Sequence, residues 1–134
     1  MDGLRASVAS LDALFLRDAQ VDCAQDPDAE GEASVVDVLE RKSELRLQRL
    51  AFWKQLAAQA AAGMAADATD FAEFQEAMTP PDATGAERAF VEMSTTAEVA
   101  GVLTLSPGAA AAFISQSRKV CAMPAVAGAL ASGL

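Results

Sequence analysis

The chain contains no histidine. That removes the commonest general base and the commonest transition-metal ligand at once. Tyrosine is absent too, aromatics make up only 5% of the residues, and β-branched residues are sparse beside alanine and leucine, a balance that favours helix over sheet. Basic residues are few: 10 Lys and Arg against 19 Asp and Glu leave a net charge of −9. Phosphate contacts need a basic face, so nucleic acid is excluded as an expected partner, and so is an anionic membrane surface. No stretch reaches the roughly 18 apolar residues of a membrane span. The N-terminus lacks the basic-then-apolar pattern of a signal peptide. The two cysteines, Cys23 and Cys121, are far apart and match no metal or redox spacing. Both sit among small or apolar residues, so buried reduced thiols are expected, and with them an intracellular, cytoplasmic location.

What is present is apolar and acidic. Hydrophobic residues make up 52% of the 134, enough for one core or for two small lobes. Much of that share is alanine, which suits helix packing. The surplus of carboxylates suits divalent cations or a basic peptide, and equally a solvated surface.

Periodicity divides the chain into helices. Leu4 to about Ala24 carries Val8, Leu11, Leu14, Phe15 and Val21 on or near one face. Ser34 reads as an N-cap with Asp37 as its acidic partner. From Val35 to about Ala62 there is neither proline nor glycine, and the apolar pattern allows one long helix or two shorter ones broken near Ser43. Gly63 is expected as a stop or turn, followed by a short helix over Phe71 to Met78. Thr79-Pro80-Pro81-Asp82-Ala83-Thr84-Gly85 is the clearest linker, because consecutive prolines cannot continue a helix. Helix resumes at Ala86 to Met93. Gly101-Val102-Leu103-Thr104-Leu105 is the single plausible strand. Ser106-Pro107 starts a helix from Gly108 to about Val120, and a loosely docked tail follows Pro124. The expected division is an N-terminal lobe over 1–78, a linker over 79–86 and an incomplete C-terminal helical lobe over 87–134.

One segment spells out a chemistry. In the stretch from Asp26 to Asp37, oxygen-bearing side chains fall where a twelve-residue calcium loop needs them, with Gly31 at the sharp turn. Asp26, Asp28 and Glu30 would supply carboxylates and Glu32 its backbone carbonyl. Ser34 would act directly or through water, and Asp37 would close the cage. Asp37 is one methylene shorter than the glutamate that usually closes it, and Ala33 replaces the branched residue that pairs two such loops.

The same closing position recurs at Glu73. Around it, Thr69-Asp70-Phe71-Ala72-Glu73-Phe74-Gln75-Glu76-Ala77-Met78 resembles the exit half of a calmodulin-like EF-hand. Ala86-Glu87-Arg88-Ala89-Phe90-Val91-Glu92-Met93 resembles an entering helix, and Gly101 to Pro107 the glycine, short strand and helix start that follow. The resemblance covers roughly Leu11 to Gln116. It departs from the family at the second loop, Ala62 to Glu73, where only Asp70 and Glu73 stand at ligand positions, and at the over-long third loop between Met93 and Ser106. It therefore resembles degenerate members such as the myosin light chains. That resemblance implies an all-α fold of helix-loop-helix pairs with at most a minimal two-strand contact. It implies Ca²⁺ at one site at most, and a non-enzymatic adaptor that grips a helical, basic segment of a larger protein.

Met64, Met78, Met93 and Met123 would line such a groove, or else fill the core. Phe52 and Trp53, being adjacent, cannot share one helical face. The alternative is a calcium-independent helical-bundle subunit or chaperone-type protein. No catalytic constellation is present: Ser106 reads as a cap, Cys121 as a structural thiol, and no phosphate-cradling glycine loop or nucleophile elbow occurs.

Overall fold

The computed structural model describes residues 2–23 and 32–134. It is all-α: α1 (Asp2–Cys23), α2 (Glu32–Met78), α3 (Gly85–Leu103), α4 (Pro107–Cys121) and α5 (Pro124–Ala131). No strand occurs among the described residues. The chain divides into two compact units, one made of residues 1–60 with 132–134, the other of residues 61–131. The division falls inside α2, and the proline segment lies within the second unit.

α2 settles the choice left open between one helix and two. It runs unbroken through Ser43 and also through Gly63, where a stop was expected. A glycine inside a helix costs about 1 kcal/mol against alanine, and Ala61, Ala62, Met64, Ala65 and Ala66 around Gly63 are all strong helix formers. Nothing approaches the position a Cβ would occupy on Gly63, so no packing requires the glycine. Ser34 lies inside α2, which is already helical at Glu32, and is not its cap.

In the first unit, α1 buries Ser7, Leu11 and Leu14, the alternating three- and four-residue spacing of a helix-pairing seam. Charge ties α1 to the first part of α2. Asp18 takes Arg46 at 2.8 Å and Arg49 at 3.7 Å, and Asp22 pairs with Lys42. The Arg49 guanidinium also stacks over Phe15, 3.9 Å from the ring centre. Positions falling on α1 are matched by positions rising on α2, so the two helices run antiparallel. Arg46 beside Asp18 holds that carboxyl below the usual carboxylate range. Gly133 adopts a left-handed φ of 82° against the Gln55 side chain, a place that any Cβ would overfill.

The second unit is built on small residues. Ala65, Ala68, Thr69 and Ala72 form the buried face of α2's C-terminal part, and short side chains let other helices approach closely. Thr69 Oγ1 donates to the Ala65 carbonyl at 2.8 Å and lies 3.5 Å from Cys121 Sγ. Val99, Ala100 and Ala110 make the core, with Phe71, Leu103, Phe113 and Ile114 packed against it. α3 starts on a complete capping box: Glu87 N–H donates to Thr84 Oγ1 at 3.2 Å, and Thr84 N–H donates to the Glu87 carboxylate at 2.7 Å. It ends on Thr104 in the left-handed conformation, φ 55°, with Leu105 N–H donating to the Ala100 carbonyl at 2.9 Å.

The expected strand at Gly101–Leu105 is therefore the last turn of α3 and its cap. Ser106 caps α4, accepting from Ala109 N–H at 3.2 Å, with Pro107 at the first helical position. α3 and α4 meet at 99°. The tail beyond Pro124, expected as a loosely docked end, forms α5, which has no buried residue. No single helix among the described residues is long and apolar enough to cross a membrane. Of the cysteines expected to be buried, Cys23 is exposed and Cys121 half-buried, and both are free thiols.

Candidate functional site

In the second unit a groove of about 360 Å³ opens between α2, α3 and α4. α2 supplies Met64, Ala68 and Phe71, which recur at i, i+4 and i+7 and so share one helical face. α3 supplies Val99, Val102 and Leu103, and α4 contributes Phe113. The floor is rigid, since Phe71, Leu103 and Phe113 pack directly on the core. The mouth is open: Met64 is 46% and Val102 83% exposed. Among the described residues nothing covers Val102. Asp67 and Glu98 are exposed and are, among the described residues, the only charged ones of the lining.

This combination has a definite chemistry. An apolar trough binds the apolar stripe of a helix, and a thioether at its mouth adapts to different shapes. Two carboxylates with no neighbouring cation in the lining favour a partner with lysine or arginine beside that stripe.

A larger cavity of about 620 Å³ lies elsewhere in the same unit. Its arginines and threonines are already committed. Arg118 pairs with Glu76 at 2.6 Å, and Arg88 donates to the carbonyls of Pro80 and Pro81 at 3.3 and 3.1 Å. Thr95 and Thr96 donate to carbonyls one turn back in α3, and Thr79, just past the end of α2, donates to the Gln75 carbonyl. That arrangement fastens the helices and the proline segment together.

Of the calcium ligands expected from the sequence, Asp26, Asp28 and Glu30 lie outside the described residues. Glu32, Ser34 and Asp37 all belong to α2, and Asp37 is exposed. A helical Glu32 has its carbonyl committed to the N–H four residues on. With half of the proposed ligands outside the described residues, the cage itself is not described; the helix that would leave it begins at Glu32. Among the described residues, no group of three or more acidic or cysteine side chains could hold a metal ion. Residues 62–73, where the resemblance places a second loop, are helical throughout.

Of the four methionines singled out from the sequence, Met64 lines the groove, while Met78, Met93 and Met123 are exposed elsewhere. The sequence reading missed Val102, Phe113, Asp67 and Glu98. A helical rather than extended reading of the residues before Thr104 would have placed Glu98, Val102, Val99 and Leu103 on adjoining rows. No protein-family model, curated protein or solved structure matches the chain.

Proposed function

We propose that this protein is a non-enzymatic, calcium-independent adaptor whose groove between α2, α3 and α4 receives a basic amphipathic helix of a larger partner. The observation that carries this reading is a single one: an apolar trough with an 83% exposed valine and a mouth methionine, rimmed by two carboxylates and no cation. Paired EF-hands form no part of the support, since residues 62–73 are helical. The net charge of −9 acts in the same direction, raising the encounter rate with a cationic segment.

Calorimetry tests it with a designed helical peptide of leucine and lysine, set beside a leucine–glutamate counterpart. The lysine peptide should bind and the glutamate peptide should not. The double reversal Asp67→Lys with Glu98→Lys should weaken the lysine peptide roughly tenfold at low salt, with the difference shrinking as salt screens the rim. Adding Ca²⁺ should leave the affinity unchanged. Equal binding of both peptides, or binding indifferent to the double reversal, would remove the reading. Binding that appears only with Ca²⁺ and disappears in Asp26→Ala would restore the metal to it.

A further inference from the structure

The first unit carries a second uncovered apolar face. On α2, Val38, Lys42, Leu45, Arg49, Phe52, Leu56 and Gln59 are buried or half-buried, at alternating four- and three-residue spacing. On α1, Ser7, Leu11, Leu14, Asp18 and Val21 repeat the same spacing. These rows are the two sides of one antiparallel seam.

One position past the seam, α1 exposes Val8 and Phe15, and α2 exposes Leu39 and Trp53. Because the helices are antiparallel, these two flanks fall on the same side of the hairpin. One step further round on α2 come Val36 and Leu50, the latter 62% exposed. One side of a two-helix hairpin therefore presents large apolar residues from both helices, more than a stable monomer usually leaves to water. This explains Phe52 and Trp53, the first half-buried in the seam and the second 49% exposed on the open side.

We propose that a second copy of this chain covers that face, turning two hairpins into a four-helix bundle with twofold symmetry. The charges bordering the stripe identify the occupant. Glu40 stands at one end of it and Lys54 at the other, both exposed and neither in an ion pair among the described residues. A twofold axis passing near Leu47 lays a second α2 antiparallel on the first. It brings each Glu40 against the other copy's Lys54, and each Leu39 against the other copy's Trp53. Arg46, on the same row midway between Leu39 and Trp53, falls near the axis, where Asp18 of its own chain neutralises it; the end charges then match as a symmetric interface requires and a heterologous partner does not. The face belongs to the first unit and the groove to the second, so either proposal can fail without the other.

Analytical ultracentrifugation of the full chain, with helicity checked by circular dichroism, decides the matter. The expected species has twice the chain mass of 13.8 kDa. Leu50→Lys should give a helical monomer. Glu40→Lys and Lys54→Glu should each raise the dimer dissociation constant roughly tenfold, because the twofold axis doubles every change, and the double reversal should return it to near the starting value. If Leu50→Lys fails to fold, the reversal pair decides alone. A monomer at every concentration, a dimer indifferent to Leu50→Lys, or a double reversal no better than its single members overturns the proposal.

Discussion

Asp18 shows how much one residue organises in the first unit. It stands on the buried row of α1, yet it is a carboxylate, and it is tolerated there because Arg46 and Arg49 reach it from α2. Arg46 lowers its pKa, so the folded state holds the charged form more firmly than the unfolded chain does. The sign follows directly. The stabilisation is complete above the unfolded value of roughly 3.9 and is lost as pH falls through the depressed folded value. Thermal melts of the wild type and Asp18→Asn should therefore differ near pH 7, with the variant less stable. The gap should narrow as pH falls through the lowered folded value of Asp18 and the carboxyl becomes protonated in both states. A gap that stays constant with pH would mean the ion pair contributes nothing through its charge.

At the scale of elements, helix ends and helix continuity carry the stability arguments. Thr84 closes the capping box of α3, and Thr84→Ala should cost about 1 kcal/mol in denaturant titration. Gly63 is the converse case. It is exposed in the interior of α2 with open space where a Cβ would go, so Gly63→Ala should stabilise by about 0.5–1 kcal/mol, read as a higher denaturant midpoint. Both sites were visible in the sequence, but only some of their meaning was. The proline segment and Ser106-Pro107 announced the starts of α3 and α4 because capping chemistry is local. The continuity of α2 was not legible, because the alanines flanking Gly63 outweigh one unfavourable residue and no single position reports that sum. Gly101 to Leu105 looked extended because a short apolar run fits either period, and only the left-handed Thr104 shows that a helix ends there.

At the scale of the whole molecule, the two proposals place one interaction surface on each unit of an all-α chain. Its all-α class followed from composition: abundant alanine and leucine, with few β-branched or aromatic residues. The groove did not, since it needs Met64, Val102 and Phe113 from three helices to meet, and their sequence separation hides it. The acidic segment from Asp26 to Asp37 drew the eye as a metal site. Its later half is helix, and the carboxylates that border the groove are instead Asp67 and Glu98.

The most direct test of that account is a methyl-resolved NMR titration of the full chain with the leucine–lysine peptide. The largest shift changes should fall on the methyl groups of Met64, Val99, Val102 and Leu103, while those of Met78 and Met93, outside the groove, stay where they are. Shifts centred on Met78 or Met93, or no shifts at a peptide excess that saturates calorimetry, would contradict it.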